Sequence, residues 1–110
     1  MTIVSVMYPA RPGSRFDMGY YLGTHMTMVQ KAWGAAGMSG YKVLRGSKAA
    51  DGAEPFFQVI VNMEFTSAAA FEAAVADSGA RIMGDLPNFT DIQPTIQVSE
   101  LADSFPAMPR

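Results

Sequence analysis

Residues 56–65, Phe-Phe-Gln-Val-Ile-Val-Asn-Met-Glu-Phe, constrain this chain more than any other stretch. Side chains of a β-strand alternate between two faces. Phe57, Val59, Val61, Met63 and Phe65 therefore share one face, and Gln58, Ile60, Asn62 and Glu64 share the other. The first face predicts a sealed core. The second is built of amides and aliphatics, with Glu64 as its charge near the strand end, whereas a sheet face open to water is ordinarily polar throughout. Such a face is suited to burial with its hydrogen bonds satisfied.

The flanking segments supply partners for this strand. Residues 2–8 alternate, are rich in β-branched types and predict a strand. A loop follows from Pro9 to Ser14. Asp17 is placed to cap a helix that runs to about Trp33, with Phe16 and Tyr21 as a hydrophobic staple and Gly34 and Gly37 as the stop. Met18, Leu22, His25, Val29 and Trp33 form one helical stripe, flanked by Tyr21, Met28 and Ala32. Residues 39–46 predict a second strand with Tyr41, Val43 and Arg45 on one face, and Ser47 to Pro55 a polar connection. Ser67 caps an alanine-rich second helix with Phe71, Ala74 and Val75 inward, and Gly79 is expected to end it. A last strand is expected over 92–99, with Ile92, Pro94, Ile96 and Val98 opposite Gln93, Thr95, Gln97 and Ser99. The tail after Leu101 is expected on the surface or on a partner.

The order β-α-β-β-α-β predicts an α+β, ferredoxin-like fold: a four-stranded antiparallel sheet with both helices on one face. At 110 residues, one domain over 1–110 is the natural count. Charged residues are only 16 %, against roughly 25 % in typical soluble domains. That shortfall and the sparsely charged sheet face lead to the same expectation: a homodimer in which two sheets face each other across a twofold axis.

Composition also excludes function classes. Eight Lys and Arg are scattered and the net charge is −2, so no basic patch for nucleic acid is expected. No apolar run is long enough to cross a bilayer, and the first residues lack the pattern of a signal peptide; a cytoplasmic location is the expectation. Cysteine is absent and there is one histidine, which removes thiolate chemistry and a multi-histidine metal site within one chain. Gly34-Ala35-Ala36-Gly37 neither follows a strand nor opens a helix, so it is no dinucleotide loop. A phosphate-cradling loop and a serine elbow are absent as well. No site for nicotinamide or flavin is visible.

His25 is the first candidate for chemistry. Imidazole titrates near neutrality and can take and return a proton. The competing reading is a buried histidine bonded to a backbone carbonyl. Tyr41 is suited to donate to a developing enolate or phenolate, and equally to strand packing. Tyr8, Tyr21, Trp33 and Phe89 are candidate walls of an aromatic pocket, with Met28 as an adaptable neighbour and Asn62 as a group to orient a carbonyl.

Arg15-Phe16-Asp17, Tyr20-Tyr21, His25, Val29, Trp33-Gly34 and Gly37-Met38 together resemble the first half of EthD-family proteins. Asp85-Leu86-Pro87-Asn88-Phe89 and the closing strand with Gln97 are similar too, so the resemblance covers nearly the whole chain. It departs at Thr27, where the family commonly has proline; this departure implies a helix that continues more regularly past His25. The resemblance implies a dimeric α+β barrel with a cleft between the first helix and the sheet. It implies an oxidoreductase label, or by analogy with isomerases and cofactor-free monooxygenases of the same fold, chemistry on a small aromatic, polyketide or lactone-like compound. In the isomerase type a helix-one histidine and a second-strand tyrosine line the site; His25 and Tyr41 match those positions. Three classes stay open: a cofactor-free enzyme, a non-catalytic binding or accessory protein, and a haem-binding barrel with His25 as the iron ligand.

Overall fold

The computed structural model describes residues 1–106. Its elements run β1 (Thr2–Pro9), a first helix (residues 18–33), β2 (Met38–Arg45), β3 (Phe57–Phe65), a second helix (Ala68–Gly84), a 3-10 turn (Leu86–Asn88) and β4 (Thr95–Glu100). The four strands form one sheet in the order β2-β3-β1-β4, and all three pairings are antiparallel. This is the ferredoxin-like α+β fold. Among the described residues, no helix is long and apolar enough to cross a membrane.

Register divides the sheet into two faces. Val4 lies opposite Met63 and Val98, and Val6 opposite Val61 and Ile96. These belong to the helix-covered face, where Val4, Val59, Val61, Met63 and Phe65 are buried. The other face carries Ser5 opposite Asn62 and Gln97, Met7 opposite Ile60 and Thr95, and Lys42 opposite Asn62. The Ser5 hydroxyl donates to Asn62 Oδ1 at 2.7 Å, and Leu44 on this face is half exposed.

The first helix is not uniform. It is α-helical at Met18–Tyr20, π-helical at Tyr21–His25 and α-helical again at Met26–Trp33. Asp17 caps it as expected, accepting from the Tyr20 amide at 3.1 Å. In the π turn the Met26 amide reaches back to the Tyr21 carbonyl, an i→i+5 bond. The extra residue rotates the buried face. Tyr21, His25, Met26, Val29 and Trp33 are inside, whereas Leu22, expected in the stripe, is half exposed. Past His25 the helix is regular, as the missing proline implies. The Thr27 hydroxyl donates to the Gly23 carbonyl at 2.9 Å.

Two further boundaries differ from the sequence reading. The second helix starts at its Ser67 cap, whose hydroxyl accepts from the Ala70 amide at 3.0 Å, but it passes Gly79 and continues to Gly84. A glycine stop needs left-handed backbone. Gly37 has it, with φ 104°, and Gly79 does not. Val75, expected inward, is 42 % exposed. The last strand starts at Thr95, not 92; Ile92 and Pro94 are buried ahead of it. Ile96 and Val98 lie on the helix side but remain about half exposed, because the helices do not reach over this edge strand. Of the expected surface tail, residues 101–106 have no regular structure and Phe105 is fully exposed; residues 107–110 lie outside the described residues.

Candidate functional site

Between the two helices and the sheet lies a cavity of about 260 Å³. Its floor is β1 and β3, including Val4, Val6, Val61 and Met63; one side is Tyr21, His25, Val29 and Trp33 of the first helix. The second helix gives the opposite side, where Gly79 contributes no side chain, and Val75, Met83 and Ile96 form a partly exposed apolar rim.

His25 is 4 % exposed. Its Nδ1 lies 2.9 Å from Asp85 Oδ2. Asp85 caps the end of the second helix, sixty positions away in sequence. The carboxylate also accepts from the Tyr20 hydroxyl at 2.7 Å and from Asn88 Nδ2 at 2.9 Å. Burial alone raises the Asp85 pKa, but the hydrogen bonds from Asn88, His25 and Tyr20 outweigh it and hold the carboxyl below the usual carboxylate range. An ionised carboxylate only accepts hydrogen bonds. The Nδ1–H of His25 is therefore the donor, and in the neutral ring the lone pair sits on Nε2. Its own bond to Asp85 pushes the Tyr20 hydroxyl pKa upward, so Tyr20 stays a donor.

The backbone explains how two distant residues meet. The Asp17 amide donates to the Phe89 carbonyl at 2.8 Å, the Thr90 hydroxyl to the Arg15 carbonyl at 2.7 Å, and Arg15 Nη2 to the Pro87 carbonyl at 2.6 Å. Residues 15–17 are thereby laced to 87–90, which fixes the start of the first helix against the segment that follows Asp85. Aromatic packing seals this end. The His25 ring is stacked on Tyr21 at 5.6 Å between centroids and tilted on Phe89 at 4.7 Å. Tyr8, Phe16 and Phe89 complete the cluster edge-to-face.

Tyr21 is completely buried, and among the described residues its hydroxyl has no hydrogen-bond partner. Burial, then the neighbouring Tyr8 and Tyr41, raises its pKa well above the ordinary phenol value; burial does the same to Tyr8. Both remain neutral hydroxyls.

The sequence-predicted residues divide into two groups. Tyr8, Tyr21, His25 and Trp33 line the cavity, and Phe89 packs directly behind His25 and Tyr21. Three lie elsewhere. Tyr41 is on β2 outside the cavity wall, and its hydroxyl accepts from Gln30 Nε2 at 2.6 Å. Met28 borders a separate shallow groove with Thr24, Lys31 and Arg81. Asn62 is on the helix-free sheet face, bonded to Ser5. The matching of Tyr41 to a site position places it by strand, and strand number alone does not set the distance to the cavity. Asp85 is the residue that sequence reasoning missed. It stands in the stretch shared with the family, but no spacing rule links it to His25.

No family model and no curated protein matches the chain. Among solved structures, an EthD-like protein from Ralstonia eutropha is 41 % identical, covering 93 % of this chain and 92 % of that one, with a TM-score of 0.86. The chain belongs to the EthD family. An ethyl tert-butyl ether D (EthD) family protein from Bacillus halodurans is 21 % identical over 92 % of this chain and 98 % of that one, with a TM-score of 0.73. SnoaB of Streptomyces nogalater, a cofactor-independent oxygenase, is 14 % identical over 96 % and 95 %, with a TM-score of 0.63. That likeness extends the EthD fold to a wider set of proteins. The EthD membership also accounts for the agreement between the quoted motifs and this geometry: Arg15 to Asp17, Tyr20-Tyr21, His25 and Asp85 to Phe89 are the residues that converge on one end of the cavity.

Proposed function

We propose that this EthD-family protein is a cofactor-free enzyme that moves a proton on a small, mostly apolar organic molecule, with His25 as the acid–base and Asp85 as the group that orients it. The carrying observation is the His25–Asp85 pair at 2.9 Å with the imidazole in the wall of an apolar cavity. With Nδ1–H held by Asp85, Nε2 is the basic atom, and the carboxylate stabilises the imidazolium formed when Nε2 takes a proton. Asp85 is itself kept ionised by its other donors, Tyr20 and Asn88. The substrate is then a carbon acid next to a carbonyl, or a phenol. The catalytic role given to Tyr41 in the isomerase analogy is not carried forward, since its hydroxyl is engaged by Gln30 outside the cavity wall. Proton transfer needs no bound cofactor, and a cavity of about 260 Å³ favours this reading over haem, whose four-ring macrocycle is too broad for it. Tyr8, Tyr21 and Trp33 supply the substrate walls.

The test is deuterium exchange at the α-carbon of β-tetralone in D2O, followed by NMR. The wild-type protein accelerates exchange, and His25→Ala lowers the rate by roughly 10²–10⁴-fold with the fold intact by circular dichroism. Full activity in that variant removes the proposal. A protein that holds ligand but never exchanges a proton is a binding or accessory protein instead.

The working unit in this reading is a cytoplasmic homodimer closed through the helix-free sheet face. Amides and hydroxyls already pair there, as in Ser5–Asn62, and aliphatics such as Leu44 stand half exposed beside them. Ile60→Lys puts a charge at the centre of that face and is expected to halve the sedimenting mass.

A further inference from the structure

We infer that the cavity selects a neutral ligand about the size of two fused rings with one hydroxyl or carbonyl oxygen, and rejects carboxylates; the inference rests on the proton-transfer reading of His25 and narrows its substrate. An apolar cavity of about 150 Å³ holds benzene. A cavity of about 260 Å³ therefore takes roughly ten non-hydrogen atoms by proportion.

Among the described residues, the wall carries no Lys, Arg, Asp or Glu. Its polar atoms belong to His25, Tyr8, Tyr21 and Trp33. The Trp33 Nε1–H is already committed to Ser78 Oγ at 2.8 Å and the Ala74 carbonyl at 3.2 Å. The cations of this end of the molecule are turned elsewhere: Arg15 is bound to the Pro87 carbonyl, and Arg81 and Lys31 border a different groove. What the site does hold is the Asp85 carboxylate directly behind His25.

Counting charge decides the ligand class. A neutral ligand leaves the site with the single negative charge of Asp85. Moving a proton from that ligand to His25 redistributes the charge without changing its total. A ligand carboxylate adds a second negative charge, and the one wall residue able to carry a counter-charge, His25, is already bonded to Asp85. Burying an unpaired carboxylate is among the costliest transfers in protein chemistry. The apolar rim of Val75, Met83 and Ile96 imposes the same selection on the way in.

Titration at neutral pH with β-naphthol, naphthalene and β-naphthoate tests this, using calorimetry on the wild-type protein. β-Naphthol is expected to bind, naphthalene to bind up to about tenfold more weakly for want of one polar contact, and β-naphthoate at least about a hundredfold more weakly than β-naphthol. Asp85→Asn is expected to narrow the naphthol-to-naphthoate ratio by about tenfold or more. Gly79→Met, which fills the cavity from the second helix, is expected to remove naphthol binding. β-Naphthoate equal to β-naphthol, no binding of any of the three, or naphthol binding unaffected in Gly79→Met each overturns the inference. An intact ranking without deuterium exchange removes the chemistry and leaves the ligand class; intact exchange with β-naphthoate preferred does the reverse.

Discussion

The core has two aromatic clusters, one at each end of the cavity, and they are finished differently. At one end Trp33, Phe65 and Phe71 pack edge-to-face within 6.1 Å of one another, and the one polar atom among them, Trp33 Nε1, is bonded twice. At the other end Tyr8, Phe16, Tyr21, Phe89 and His25 pack as closely, yet the Tyr21 hydroxyl has no partner among the described residues and His25 lines the cavity. An unsatisfied buried hydroxyl costs about 1–3 kcal/mol. The first cluster holds the fold together. The second gives up stability where the proposed chemistry is placed.

Trp33→Ala at the first end and Tyr21→Phe at the second should therefore move stability in opposite directions. Trp33→Ala is expected to have the largest effect, a loss of about 3–5 kcal/mol in urea unfolding, since it opens a void and releases Ser78. Asp85→Asn is expected to cost about 1–2 kcal/mol, because it weakens hydrogen bonds to a charge that is only partly shielded from solvent. The same carboxylate gives a pH signature. Its pKa is lowered on folding, so its stabilisation is complete above the unfolded value of about 3.9 and is lost as pH falls through the lowered folded value; this component of acid destabilisation is expected to vanish in Asp85→Asn. The smallest effect is the most diagnostic. Tyr21→Phe is expected to raise stability by about 1 kcal/mol, because it deletes an unpaired hydroxyl and keeps the ring packing. A loss in Tyr21→Phe would erase the contrast between the two clusters.

Much of the fold was legible because it rests on local pattern. The alternation of 57–65 fixed a strand and both its faces, Ser67 and Asp17 marked helix starts, and the element order left one topology to consider. What escaped was carried by geometry that pattern does not encode. Gly79 reads as a stop, but its backbone stays right-handed. Leu22 fits an ideal helical stripe, but the π turn moves it to the surface. The site was half legible for the same reason. Tyr8, Tyr21, His25 and Trp33 follow from burial periodicity, which is local. Asp85 depends on the lacing of residues 15–17 to 87–90, a contact between distant segments that no spacing announces.

The π turn also bears on how such a site can arise. A stretch of five residues at Tyr21–His25 spans what four would in an ordinary helix. Removing one codon there, at the exposed Gly23, would restore an unbroken α-helix and swing everything before it by about 100°. Tyr20 and Tyr21 would leave Asp85 and the cavity, while Val29 and Trp33 kept their places. The difference between a plain structural helix and one that presents a tyrosine and a histidine to the same pocket is thus a single inserted residue.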